Sequence, residues 1–401
     1  MSFYAYKVRI YPNKTQKELI NRTLGCTRKM WNLMLNERKE VYEKLKHDKQ
    51  ALKNYKYKTV EEYKEEYPYM KECDAQAFKY MLLDLNSAHK RFFNKTSQFP
   101  KFKKKFIEES YSSFQSTIKL NRNDKTIQLV KLGNVKYRNS NDKNIIGKIK
   151  RATISRDASG NYFCSLLFDV GDVAKTPKIA IHNENQIIGL DMSLGKFYVD
   201  SNGKSPNYEK LYRKSEQRLK YLNKMKSRKK KGSREYKKIA RSIARVNVNI
   251  KNKRNDFILK TAQRLTTDYD KIVVEDLNMK GMSQCLNLGK SVHDVGWGTF
   301  ISKLEYYCNK KGKKLEKADR FFPSSKTCSS CGKIKKELTL NERIFICDCG
   351  LSIDRDRNAA LNLLKFGLKG SPSMLVEPLG YQNYEASNGI SYVQQTMKNV
   401  F

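Results

Sequence analysis

The chain has 401 residues and carries 81 lysines and arginines against 41 aspartates and glutamates, a formal net charge of +40. Such an excess repels itself in a compact state unless a polyanion supplies counter-charge, so nucleic acid is the expected partner. No apolar stretch approaches the ~20 residues of a membrane span, the N-terminal MSFYAYKVRIYPNK lacks the apolar core of a secretory signal, and the length suits about two to three domains of a cytoplasmic protein.

Tyr6–Pro12 reads as a strand stopped by its proline. Thr15-Gln16-Lys17-Glu18 has the pattern of a capping box. Beyond it, Ile20, Leu24, Thr27, Trp31, Met34, Val41 and Leu45 keep the spacing of a long amphipathic helix. A second helix is expected near Asp74, with Phe78, Met81, Leu85, Ala88 and Phe92 on one face. Phe99–Phe106, FPKFKKKF, either stacks bases and pairs phosphates or tucks its phenylalanines into the domain. Two hairpins follow, TIKLNRNDKTIQLV and ATISRDASGNYFCSLLFDV. A strand, a helical insert and then hairpins suggest a β-barrel interrupted by helices, with a linker over residues 171–186.

IIGLDMSLGKFYVDSNG reads as a hairpin opening the second half. Between Lys204 and Lys260 there are 21 basic and 4 acidic residues, and Ile239, Ile243, Val246, Ile250 and Phe257 are near-heptad. Gly232-Ser233 interrupts that pattern, so two antiparallel helices are expected, lying along a phosphate backbone. KIVVED is a buried strand, GWGTFISKLEYYCNKKG a helix and KLEKAD another strand; beyond Gly367 the lysine density collapses and the tail reads as disordered.

Cys328, Cys331, Cys347 and Cys349 have the grouping of a tetrahedral Zn²⁺ site. Cys26, Cys73, Cys164, Cys285 and Cys308 are scattered and read as ordinary thiols of a reducing compartment. Asp191 and Glu275 each end an apolar strand, and Asp354 opens the final helix, NAALNLL. Mg²⁺ or Mn²⁺ prefers such oxygen ligands, and two of these ions suffice for phosphodiester hydrolysis. Asp276 points away from Glu275 by strand alternation and reads as structural. Asp356 lies two residues past Asp354; spacing does not choose between them, and Asp354 is taken as the third acid. Other chemistries fit poorly. His47, His89, His182 and His293 form no pair, and position 284 is Gln where a Walker A loop ending at Gly289-Lys290-Ser291 requires Gly.

DMSLGKF, VVEDLNMKGM, HDVGWGTF, FFPSSKTCSSCG and CGLSIDRDRNAA, in that order, closely resemble the TnpB family of transposon-encoded nucleases, ancestors of type V CRISPR effectors. The resemblance spans essentially residues 1–365. It implies a multidomain α+β protein with a wedge β-barrel over 1–11 and 107–172 and a helical recognition insert over 12–106. After a linker over 173–186, an RNase H-like RuvC domain is implied over 187–322 and 351–367, with a zinc ribbon over 323–350 and a tail from 368 to 401. It implies catalytic acids at Asp191, Glu275 and Asp354 holding Mg²⁺, and zinc ligands at Cys328, Cys331, Cys347 and Cys349. The second knuckle is Cys-x-Cys, one residue shorter than the family's usual Cys-x-x-Cys.

The implied activity is RNA-guided cutting of double-stranded DNA beside a short transposon-adjacent motif. The guide RNA comes from the transposon end, and a monomer in a bacterial or archaeal cytoplasm is expected. A guide-holding protein needs backbone contacts more than base contacts, which suits the charge. The alternative is a nuclease-silent RNA-guided repressor, which would ordinarily lack one of the acids. A DDE transposase would order its acids Asp, Asp, Glu.

Overall fold

The structure is a computed structural model; it describes residues 3–105, 109–114, 118–138, 147–171, 186–285, 289–339 and 342–369. The expected linker, apart from Gln186, and the expected tail from residue 370 onward lie outside them. The chain divides into two compact units, Met1–Lys175 with Leu211–Lys253 and Thr176–Lys210 with Arg254–Phe401. The basic stretch Leu211–Lys253 thus groups with the first unit, although it follows the first strands of the second in sequence.

In the first unit, strand β1 (Phe3–Tyr11) leads into helix α1 (Lys14–Leu45), α2 (Lys49–Asn54), α3 (Val60–Glu66), a 3₁₀ turn (Pro68–Glu72) and α4 (Ala75–Phe93). The capping box of α1 is formed by Asn13 and Gln16, not by the expected Thr15 and Glu18. The Asn13 side chain accepts from the Gln16 N–H at 2.8 Å while Gln16 Oε1 accepts from the Asn13 N–H at 2.9 Å. Pro12 ends β1 so early that the helix starts two residues sooner than the Thr-x-x-Glu pattern suggests. The apolar stripe behaves as read: Ile20, Leu24, Trp31, Met34 and Val41 are buried, as are Phe78, Met81 and Leu85 on α4, capped by Asp74.

Strands β2 (Glu109–Ser113), β3 (Lys119–Asn121), β4 (Thr126–Leu129), β5 (Gly133–Arg138), β6 (Lys148–Arg156) and β7 (Tyr162–Asp169) join β1 in one antiparallel sheet, ordered β2-β6-β7-β1-β5-β4-β3. The sheet draws strands from both sides of the helical segment, and alternation along β7 (Tyr162, Cys164, Leu166, Phe168 inward) gives it one buried face. Ile20 and Leu24 of α1 and Ala77 of α4 complete that core. Glu109, buried at the sheet edge, is clamped by Arg28 and Arg156, which offsets the cost of enclosing its charge.

FPKFKKKF tucks one of its phenylalanines into the domain. Phe99 is half-buried against Phe92 at 5.1 Å, and the segment is strapped to α1 by Trp31 Nε1 donating to the Lys101 carbonyl at 3.1 Å. Phe102 stays exposed, with the Lys39 ammonium 5.1 Å from its ring centre. The basic stretch forms α5 (Leu211–Ser227) and α6 (Arg234–Asp268), broken at Gly232 as expected; Ile250 of α6 packs with Leu211 and Leu219.

The second unit is built on β8 (Ile187–Ser193), β9 (Phe197–Asp200), β10 (Lys271–Glu275) and β11 (Lys314–Ala318), ordered β9-β8-β10-β11. β8, β10 and β11 run parallel, and β9 returns antiparallel to β8. Near-continuous burial along β10 reflects cover on both faces. Helices α7 (Met279–Cys285), α8 (Gly289–Val295) and α9 (Trp297–Lys311) follow β10, with left-handed glycines, Gly296 and Gly312, at the two ends of α9. The small hairpin β12 (Ile344–Ile346) and β13 (Ser352–Asp354) precedes α10 (Arg355–Lys369). No helix among the described residues is long and apolar enough to cross a membrane.

Candidate active site and metal centre

Parallel pairing sets the position of the first two acids. Leu190 of β8 is paired with Val274 of β10, so the next residues, Asp191 and Glu275, stand level at the ends of neighbouring strands. Both are half-buried. The turn after β8 holds Phe197 at φ 78°, a left-handed backbone rare for a bulky side chain. Its ring compensates by complete burial among Phe257, Phe300 and Trp297, with ring centres 4.9–5.7 Å away. The hairpin carrying Asp191 is thereby anchored in the core.

Helix α10 supplies the remaining acids. A Cβ on Gly189 would lie 2.2 Å from the Ala360 carbonyl oxygen and 2.6 Å from the Leu364 nitrogen, so only glycine lets β8 approach the helix. Asp191, two residues on, shares the Gly189 face of the strand, and Asp356, one turn before Ala360, shares the Ala360 face of the helix. Asp354 lies outside the helix proper. Its Oδ1 accepts from the Arg357 N–H at 3.1 Å as an N-cap, and its Oδ2 is 3.8 Å from Lys196 Nζ. The Asp354 side chain is 47% exposed and that of Asp356 16%.

The electrostatics agree with this arrangement. Burial pushes the Asp191 carboxyl well above the usual carboxylate range, and the charges of Glu275, Asp356 and then Asp354 push the same way, opposed in part by Arg355. Glu275 is likewise raised by burial, against the pull of a hydrogen bond donated by the Ser324 hydroxyl. The acids are near enough to repel one another. Their oxygens do not close into one tight ligand set: among the described residues, only the four cysteines have ligand atoms all within 4.8 Å of one another. Asp276 turns away, as expected, and pairs with Arg320 at 3.0 Å.

Cys328 and Cys349 Sγ are 3.6 Å apart, as are Cys331 and Cys347 Sγ. Four thiolates about a Zn²⁺ at ~2.3 Å would be separated by about 3.8 Å, so the cluster fits a zinc ribbon. Left-handed glycines, Gly332 and Gly350, close the two knuckles, and the Gly350 N–H returns to the Cys347 carbonyl at 3.0 Å. The shortened Cys-x-Cys therefore still brings both sulfurs to the centre. Burial pushes the Cys328 thiol up, but hydrogen bonds from the Cys331 and Ser330 N–H groups, together with those of the Cys331 and Cys347 side chains, bring it to about 7. Cys26, Cys73, Cys164 and Cys308 are buried and outside the cluster; the Cys285 side chain and His182 lie outside the described residues.

Sequence reasoning missed the residues that join ribbon to helix. Asn358 and Asn362, buried one turn apart on α10, hydrogen-bond the ribbon backbone: Asn358 Oδ1 accepts from the Ser329 N–H at 2.9 Å, and both amides donate to the Thr327 carbonyl, at 2.7 and 2.6 Å. The available signal was a pair of asparagines at i and i+4 inside the apolar NAALNLL, a buried polar face that needs partners. Ser324, which reaches Glu275, lay unremarked inside FFPSSK.

Three families match along the chain: a "Helix-turn-helix domain" over residues 2–47, a "Probable transposase" over 172–286, and a "Cas12f1-like, TNB domain" over 297–363. In the structure, 3–45 is a strand and one long helix. A Streptomyces pristinaespiralis protein described as "Putative RNA-guided DNA endonuclease" is 31% identical over 371 residues, 92% of this chain and 90% of that protein. The Escherichia coli K12 "Putative RNA-guided DNA endonuclease InsQ" is 27% identical over 90% of this chain and 92% of its own. A Cas12f1 solved by cryo-EM with sgRNA and target DNA shares the fold at TM-score 0.53 and 13% identity, over 90% of this chain and 98% of that one. A mixed α/β chain with carboxylates at strand ends and a four-cysteine ribbon, alike over nine-tenths of its length, defines a transposon-associated protein of the OrfB type. The chain belongs to the TnpB family.

Proposed function

We propose that the protein is an RNA-guided DNA endonuclease that cuts double-stranded DNA beside a short transposon-adjacent motif. The observation that carries this reading is the level placement of Asp191 and Glu275 on parallel strands, with α10 bringing further carboxylates to the same face. An antiparallel hairpin extended by two parallel strands suits an RNase H-like, RuvC-type domain, and the first unit's sheet with its helical insert suits the wedge barrel and recognition domain. The relatives named as RNA-guided endonucleases and the Cas12f1 fold support the same partners, a transposon-end guide RNA and target DNA. The protein would act as a monomer in the cytoplasm.

A half-buried Asp191 whose carboxyl is raised by burial and by the charges of Glu275, Asp356 and Asp354 belongs to a donor set that a hard divalent cation neutralises, so the residues fit Mg²⁺ or Mn²⁺. Bound there, the ions would activate the attacking water and stabilise the leaving oxygen. Asp191 and Glu275 would hold them, with Ser324 orienting the Glu275 carboxylate. For the third ligand the face shared with Ala360, the lower exposure and the stronger effect on Asp191 favour Asp356 over Asp354, which caps the helix instead. The four cysteines would hold a structural Zn²⁺.

The test is cleavage of matched DNA by the RNA-loaded protein with Mg²⁺. Asp191→Ala is expected to abolish cutting and leave guide-dependent binding within a few-fold of wild type. Asp356→Asn should lose at least about a hundredfold in rate, a typical loss for a transition-state interaction, and Asp354→Asn far less. Undiminished cutting by Asp191→Ala would refute the site; the reverse order of the last two would return the role to Asp354.

A further inference from the structure

The segment that crosses from β11 to the ribbon presents an aromatic ring that the fold does not use. Ala318, the last residue of β11, is paired with Glu275. The chain leaves the sheet there and returns with the Ser324 hydroxyl on the Glu275 carboxylate. Between these points Asp319 Oδ1 accepts from the Phe321 N–H at 2.8 Å and the Asp319 carbonyl from the Phe322 N–H at 3.0 Å. Arg320 is held by Asp276 through Nη2 at 3.0 Å to Oδ2 and Nε at 3.3 Å to the carbonyl. Phe322 turns inward, its ring centre 5.2 Å from that of Phe366.

Phe321 does the opposite. At 88% exposure it is the most exposed of the large hydrophobic side chains among the described residues. An isolated surface phenylalanine needs no explanation by itself. This one stands on an arch whose two feet are bonded to Glu275 and to its neighbour Asp276, so its backbone is tied to the candidate acids while its ring meets only solvent. A ring so placed, beside a site that handles a nucleic-acid strand, is a platform for stacking one base, an interaction available to any base because each has a π face. Resting on the function proposed above, we propose that Phe321 stacks on a nucleobase of the DNA strand beside the scissile phosphate and so positions that strand over Glu275.

The test uses the full chain loaded with guide RNA. Phe321→Ala should slow single-turnover cleavage of matched DNA about tenfold, within the range of one lost base–aromatic stack, with melting temperature, metal content and guide-dependent duplex binding unchanged. Phe321→Tyr should restore the rate, whereas Phe321→Leu, apolar but without a π face, should not. An abasic substitution at the stacked position should slow wild type by the same factor and leave Phe321→Ala no slower. In the Asp191→Ala background, 2-aminopurine placed at successive positions should be quenched at one of them, and Phe321→Ala should abolish that quenching. Rescue by Leu equal to that by Tyr, wild-type cleavage by Phe321→Ala, or no Phe321-dependent quenching at any position would overturn the proposal. A wild-type complex that binds matched DNA but never cuts it fails the endonuclease reading alone, and the quenching experiment then decides the role of Phe321.

Discussion

Asp191 shows how a single side chain can be placed against its own interest. Ionised, it is half-buried and faces Glu275 and Asp356, so the folded state prefers it protonated. Its folded pKa is raised above the unfolded value. Near pH 4 and below, where the unfolded carboxyl is also protonated, it costs nothing; as pH rises, the folded state alone carries the penalty of ionisation. Asp191→Asn is therefore expected to raise the melting temperature of the metal-free protein at pH 8, with the gain shrinking to nothing towards about pH 4. Millimolar Mg²⁺ should stabilise wild type and leave the variant nearly unmoved. Equal melting curves for the two proteins across this pH range would show that Asp191 bears no such penalty.

At the scale of elements, α10 holds the second unit's chemistry in register. Gly189 lets β8 meet the helix backbone, and Gly367 does the same beneath Val273, where a Cβ would come within 2.5 Å of Cγ2. Asn358 and Asn362 fasten the ribbon to the other side of the helix, and Ser324, whose carbonyl accepts from Asn362 at 2.7 Å, links that attachment to Glu275. The ribbon thus braces the helix and the strand end that carry the candidate acids. Cys328→Ser is expected to lower bound zinc from about one ion per chain to near none, to loosen the Ser324–Thr327 backbone in hydrogen exchange, and to reduce cleavage without altering RNA binding. Unchanged zinc in the variant would remove Cys328 from the ligand set.

At the scale of the whole molecule, charge is the dominant property. Of the 21 basic residues between Lys204 and Lys260, 15 lie on two helices whose apolar residues form only a narrow seam, and Arg228–Lys231 at their junction are exposed. Ordinary helix pairs mix signs on such faces. Purified protein is expected to carry a defined RNA, read by sequencing the bound fraction; random cellular fragments would count against guidance. Affinity for that RNA should fall steeply with salt, and Lys229→Gln, Lys230→Gln and Lys231→Gln together should reduce the log–log slope by about 2–3 if those residues face phosphates.

Periodicity and turn chemistry sufficed for the elements whose order is local. The long amphipathic helix, the Asp74 cap, the break at Gly232, the β8–β9 hairpin and the buried KIVVED strand follow from side-chain spacing alone, because each depends on neighbours within a few residues. Cysteine spacing likewise anticipated the cluster. α1 starts two residues before the Thr15 pattern because Asn13 and Gln16, directly after Pro12, already form the reciprocal caps. Which of Asp354 and Asp356 faces Asp191, and the roles of Ser324, Asn358 and Asn362, were decided by tertiary structure. Those depend on which face of α10 meets Gly189, a contact between residues more than 150 positions apart along the chain, and no local pattern encodes a rotation set by such a distant partner.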